Sequence, residues 1–322
     1  MKKILTPLIA LLKDATTASM EMFKVMIPII ILVKILQEFG LIEYLAWPLT
    51  PIMGPLGLPA EMGLVWATAL INNIYSGLIV FLSITADSPL SIAQSTVLSI
   101  LILVAHGLPL ESSIARKSGA RFIFQCFIRI LGAFILALIV HTLFDTTGIL
   151  QEPATILFQA NPLAGSAPSL ALWALDQGKN LLSIFGIILA LLGIMRILHA
   201  IRLIALINWL LRPLLKLIGI GPKASAITVI GLTMGLSYGG GLIINETRNN
   251  SLAKEDIFYS LTLMGLCHSL IEDTLLLMLI GANFTSIFWG RLVFALVAMA
   301  GIVQIVRTLP VKVQNTYLWV NK

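Results

Sequence analysis

Gly265-Leu266-Cys267-His268-Ser269-Leu270-Ile271-Glu272-Asp273-Thr274 sets ionisable and polar side chains in the middle of an apolar segment. A second such stretch, His106-Gly107-Leu108-Pro109-Leu110-Glu111-Ser112-Ser113, precedes it by 162 residues, histidine to histidine. The offset extends well beyond the histidines. Lys34-Ile35-Leu36 matches Arg196-Ile197-Leu198, Trp47 matches Trp209, Pro51 matches Pro213, Gly57 matches Gly219 and Arg129 matches Arg291. One inserted residue carries the middle, where Pro59 meets Pro222 and Tyr75-Ser76-Gly77 meets Tyr238-Gly239-Gly240. Coincident Leu or Ile means little in apolar sequence, but Trp, His, Arg, Pro and Tyr are scarce, so their common register marks an internal repeat.

The chain around these stretches is 58% hydrophobic and 11% charged, with a mean hydropathy of +0.98. A soluble domain carries about 25% charged residues, so a water-facing surface for this chain is excluded. Runs such as Phe23 to Ile42 and Phe122 to Leu143 approach the roughly 20 residues that span a hydrocarbon core. The fold class is therefore an all-α integral membrane protein of two tandem repeats. Each repeat has about four helical elements: an apolar helix ending near a Trp, a helix interrupted by small residues, a segment broken at a histidine, and a last helix carrying an Arg. The repeats run from 20 to 145 and from 181 to 308. An amphipathic lead-in (1–19), a Pro-containing linker (146–180) and a C-terminal tail (309–322) complete the chain. The net charge of +6 is spread over segment ends with no aromatic-interleaved basic stripe, so nucleic acid is not expected as a partner. Cys126 and Cys267 form no metal or redox motif.

Breaks in membrane helices matter because the N–H and C=O groups they free must be paired by protein, water or ligand. A carboxylate there costs roughly 2.5–3.5 kcal/mol even on the lenient insertion scale, so it faces a cavity or a partner. His268 and Glu272 stand four apart, on one face if the helix continues, where they can bind a cation, relay a proton or contact a substrate. The alternative is that these side chains, with Arg129 and Arg291, only lock helices together. The second pair of breaks is Asn72-Asn73-Ile74-Tyr75-Ser76-Gly77 and Gly235-Leu236-Ser237-Tyr238-Gly239-Gly240-Gly241. Three consecutive glycines each cost a helix about 1 kcal/mol relative to Ala, which makes an intact helix there doubtful. The competing reading of these small residues is close helix packing. The candidate substrate- or ion-binding residues are His268, Glu272, Asp273, His106, Glu111, Asn73, Tyr75 and Tyr238. No catalytic arrangement, phosphate loop or zinc-protease helix is present, so neither an enzyme nor a cofactor is expected.

Lys and Arg concentrate on the cytoplasmic side of short loops. If the histidine segment enters and leaves by one face, each copy crosses three times. The Arg116-Lys117-Arg121 loop and both termini then lie inside, and the second copy is inverted, as in many secondary transporters.

Met26-Ile27-Pro28-Ile29-Ile30-Ile31-Leu32-Val33, Gly57-Leu58-Pro59, Asn73-Ile74-Tyr75-Ser76-Gly77 and His268-Ser269-Leu270-Ile271-Glu272 resemble the Gate, or nucleoside-recognition, domain membrane proteins. Similar units occur in the spore maturation proteins A and B and the membrane part of the ferrous iron transporter B, and more distantly in concentrative nucleoside transporters. The resemblance implies two Gate units, a bacterial inner-membrane location and movement of a small polar or ionic solute, nucleoside-like first and a divalent cation second. A non-transporting scaffold is the alternative. No GTPase domain accompanies the chain, which speaks against nucleotide-driven iron uptake. Ala105 stands where Cys267 does, and the spacing from His106 to Glu111 exceeds that from His268 to Glu272 by one residue, so no symmetric metal site is expected. The expected partners are the solute and the lipid bilayer, with self-association left open.

Overall fold

The computed structural model describes residues 2–85, 90–157, 169–248 and 252–319. Among them the chain is helical, with no strand beyond two isolated bridges. In the first copy, α1 (Lys2–Glu38) runs without interruption through the expected lead-in. It then bends by 107° into the short helical turns of Leu41–Leu56. Next come α2 (Met62–Ile71), α3 (Ile74–Ile84), α4 (Ile92–Val104), α5 (Leu108–Ser118) and α6 (Phe122–Thr147). The second copy follows with α7 (Leu170–Ala200), α8 (Leu203–Leu217), α9 (Pro222–Met234), α10 (Leu236–Arg248), α11 (Lys254–Leu266), α12 (Glu272–Met278) and α13 (Arg291–Thr308). A last short helix, α14, covers Val311–Tyr317.

The repeat reappears in the backbone. Left-handed residues fall at Gly40 and Arg202, Gly57 and Gly219, Gly107 and Ser269, and Gly119 and Gly281, each pair in the register of the two histidines. Arg202 and Ser269 hold this conformation with a Cβ, at a cost of roughly 1–2 kcal/mol each. The surrounding fold therefore imposes these reversals, and the local sequence does not choose them.

The elements that turn back are the small-residue ones. A Cβ on Gly77 would stand 2.7 Å from the Cβ of Ala69, and one on Gly239 would stand 2.6 Å from the Cα of Gly231. Residues eight apart along a straight helix lie about 12 Å apart, so α2 folds back on α3 and α9 on α10. The turn at Asn72-Asn73 is fixed by Asn73, whose side-chain oxygen accepts from the Ser76 amide at 2.9 Å. The second hairpin turns at Gly235 (φ +99°). Gly239, Gly240 and Gly241 lie inside helix α10, contrary to the expectation of a break there; Gly239 lets the hairpin arms touch, and Gly240 admits Ile114 of α5.

The sequence leaves open whether the histidine segment returns to its starting face or crosses. Residues Ile92–Ser118 form one stretch of 27 residues, long and apolar enough to cross a membrane, with its bend at the histidine. Phe122–Thr147, Leu170–Leu198 and Ser286–Thr308 meet the same test, and Leu8–Glu38 meets it together with Leu41–Leu56. With the α2–α3 hairpin turning back, the first copy has three candidate crossings: the bent α1 pair, the histidine stretch and α6. The histidine stretch is the central one: its apolar window is 72% buried, against 22–39% for the other three single spans. Those outer helices present Ile139, Leu182 and Val297 outward, as lipid contact requires. The equivalent residues Trp47 and Trp209 are 77% and 70% exposed, suiting the membrane–water interface.

Candidate functional site

The break between α4 and α5 places His106 beside Gly107, and the break between α11 and α12 places His268 beside Ser269. Both breaks are bound by the hairpins. The Gly107 amide donates to the Ala69 carbonyl at 2.9 Å, and the Leu270 amide donates to the Leu232 carbonyl at 2.8 Å. Freed carbonyls are taken up by arginine. Arg129, 1% exposed, donates from Nε to the Val104 carbonyl (3.0 Å) and from Nη2 to the His106 carbonyl (2.8 Å), and its Nη1 pairs with Glu111 Oε2. Arg291 reaches the Leu103 carbonyl at 3.4 Å and the Thr274 hydroxyl at 3.2 Å.

The two histidines meet. Nε2 of His106 lies 3.2 Å from Nε2 of His268, and each Nδ1 is held by the carbonyl one turn earlier, Ile102 at 2.8 Å and Met264 at 2.9 Å. A carbonyl only accepts, so each Nδ1 carries its hydrogen, and in the neutral ring each Nε2 presents a lone pair. Glu111 Oε1 approaches His268 Nε2 at 3.2 Å and His106 Nε2 at 3.7 Å, while Asp273 Oδ2 lies 3.8 Å from His106 Nε2. Glu111 thus reaches both histidines, and His106 stands between its own Glu111 and Asp273 of the other copy.

This geometry corrects the alignment of the carboxylates. Glu111 and Asp273 both follow their histidine by five residues, so Asp273, not Glu272, is the equivalent of Glu111. The helix does not continue from His268 to Glu272. Ser269 at φ +45° swings the chain before α12 begins at Glu272, so the expected four-residue pairing is replaced by a contact between copies. Glu272 is half-buried at the start of α12, and Tyr75, 8% exposed on α3, lies within the electrostatic reach of Glu272 and Asp273. Asn73 is committed to its hairpin cap. Tyr238 belongs to α10, and its side chain lies outside the described residues.

The two-fold relation is broken at the arginines. Arg129 clasps Glu111, yet Arg291 Nε and Asp273 Oδ2 are buried without a hydrogen-bond partner. Sequence reading named both arginines only as locks and gave no sign of this difference. The carbonyls of Ile102 and Met264, which set the imidazole tautomers, carry no signal in residue type at all.

Fold and site together define a helical membrane protein in which broken spans from two repeats converge on one buried cluster of ionisable groups. Residues 19–117, from α1 to the end of the histidine stretch, match the family model of the Gate domain, described as nucleoside recognition. The chain is also similar to YvoD, an uncharacterized membrane protein of Bacillus subtilis (strain 168), at 27% identity over 261 residues, covering 80% of this chain and 81% of the relative. No solved structure matches the chain.

Proposed function

We propose that this protein moves a small polar or ionic solute across the bilayer and that the cluster of His106, His268, Glu111 and Asp273 holds the solute midway. The Gate match supports a transport-related role. The observation that carries the reading is the arrangement at the interface: two imidazole nitrogens 3.2 Å apart, each ring tied by its far nitrogen to a carbonyl, beside a buried carboxylate oxygen without a hydrogen-bond partner. A scaffold gains nothing from this, since a buried unsatisfied polar group costs about 1–3 kcal/mol. A solute that satisfies these groups recovers that energy.

The size of the cluster favours an ion over a nucleoside. The nitrogens of both histidines and the Asp273 oxygen lie within 4.8 Å of one another, whereas sites for drug-sized ligands occupy about 300–1,000 Å3. Two surface cavities, of about 270 and 690 Å3, are lined by other residues, among them Asn72 and Thr68 in the first and Arg116 and Phe122 in the second. An odd number of crossings in the first copy, which has three candidate spans, inverts the second copy relative to it. The positive-inside rule then puts the Arg116-Lys117-Arg121 loop and both termini in the cytoplasm of a bacterial inner membrane.

The test is uptake into proteoliposomes of nucleosides, monovalent ions and divalent ions, by wild type and by Asp273→Asn. Saturable uptake of one class that Asp273→Asn abolishes supports the reading. A folded, reconstituted protein that takes up none of them refutes it.

A further inference from the structure

The interface cluster is specific enough to name a ligand class, and doing so deepens the transport reading on which it rests. We infer that His106 Nε2, His268 Nε2 and Asp273 Oδ2 form a coordination site for a divalent first-row transition-metal cation, with the Glu111 carboxylate beside it. Four independent features meet at this point.

The first is the tautomer. Hydrogen bonds from both Nδ1 atoms to backbone carbonyls turn both Nε2 atoms toward each other at 3.2 Å, and in the neutral ring each Nε2 offers an electron pair. Metal-ligating histidines have the same outer arrangement, the far ring nitrogen tied to a carbonyl or carboxylate. The second is spacing. Bonds of about 2.0–2.1 Å in a tetrahedral shell place neighbouring ligand atoms about 3.3 Å apart. The histidine pair stands at 3.2 Å, and Asp273 Oδ2 lies 3.8 Å from His106 Nε2 and within 4.8 Å of both nitrogens, a short closure away from that shell.

The third is the orphaned oxygen. Asp273 is 8% exposed, and its Oδ2, aimed at the histidines, has no hydrogen-bond partner, so a cation is the partner that suits it. The fourth is charge and donor type. Glu111 and Asp273 bring two carboxyl groups against the histidines, and Arg129 is committed to Glu111. Two imidazoles with carboxylate suit zinc, iron, cobalt or nickel, whereas calcium and magnesium take all-oxygen shells.

The other species that fits between two imidazole nitrogens is a single proton, and the experiment separates the two. Full-length protein in detergent is stripped with a chelator and titrated with Co2+, whose visible absorption reports a low-coordinate nitrogen–oxygen shell, and with Zn2+ by calorimetry. The expected result is one ion per chain. His268→Ala and Asp273→Asn should each weaken binding by at least tenfold, with loss of the cobalt bands. Asp273→Asn is nearly isosteric and alters an oxygen that has no hydrogen-bond partner, so it reports on the site even if His268→Ala does not fold.

Absence of stoichiometric binding by folded wild type overturns the inference and leaves the shared proton. Binding that persists in the Asp273 and His268 variants overturns it equally. Metal binding without uptake into proteoliposomes refutes transport and leaves the metal site standing. Uptake of another solute without metal binding does the reverse.

Discussion

Glu111 and Asp273 are equivalent residues, yet neutralising them should have opposite effects on the fold. Glu111→Gln removes the charge that Arg129 clasps and leaves a guanidinium 1% exposed, with only the Val104 and His106 carbonyls as partners. Breaking one side of a buried pair costs about 3–5 kcal/mol. The retained amide oxygen of Gln can still accept a hydrogen bond, which places the expected loss near the lower figure, about 3 kcal/mol. Asp273→Asn exchanges a carboxyl whose Oδ2 is buried without a hydrogen-bond partner. The Asn amide can donate toward His106 Nε2, 3.8 Å from Oδ2, and so recover part of the roughly 1–3 kcal/mol that an unsatisfied buried group costs, so this variant should match or exceed wild type by about 1 kcal/mol. The assay is SDS or thermal unfolding followed by far-ultraviolet circular dichroism, in chelator-treated buffer so that no ion stabilises one protein selectively. Asp273→Asn losing as much stability as Glu111→Gln would refute the reasoning, because it would mean that Asp273 has a structural partner like that of Glu111.

Further outcomes follow from the hairpins and from the count of crossings. Gly239→Ala brings a methyl group to 2.6 Å from the Gly231 Cα. Overpacking against backbone should cost about 1–3 kcal/mol in the same unfolding assay, whereas Gly241→Ala, with nothing within 4 Å of its Cβ position, should leave stability unchanged or raise it. Cysteines placed at Lys117 and at Gln151, in a background where Cys126 and Cys267 are replaced by Ala, should react from opposite sides of a sealed membrane, the first from the cytoplasmic side. Labelling of both from one side would show that α6 does not cross.

The repeat was legible because rare residues recur at a constant offset, and the structure repeats it in the hand of the backbone at four pairs of positions. Which element turns back was not legible. Gly77 and Gly239 read equally well as helix breakers or as close-packing residues, and only the contact between hairpin arms decides between them. The histidines were legible as polar residues in apolar surroundings, but their meeting was not, since no local pattern carries a contact between residues 162 apart. Glu272 drew the eye through its four-residue spacing from His268, a spacing that means something only in a continuous helix. The left-handed Ser269 removes that continuity, and no β-turn pair or glycine at that position announced it. In the first copy Gly107 does announce the reversal, and the register carries it to Ser269.

The broken symmetry at the arginines bears on transport itself. Two repeats with the same arginine, histidine and carboxylate positions hold them differently: one guanidinium grips its carboxylate, and the other bonds a carbonyl and Thr274 and leaves Asp273 alone. In an inverted pair, alternating access exchanges the conformations of the two halves, so the transport reading predicts a second state in which Arg291 grips Asp273 and Arg129 releases Glu111. Arg291→Met tests this, because Arg291 makes no hydrogen bond to a carboxylate in the present state. The variant should retain ion binding within about tenfold, equivalent to about 1.4 kcal/mol, while uptake into proteoliposomes falls to background. Uptake at the wild-type rate would show that the exchange does not occur, and that the two arginines differ because they only brace the helices.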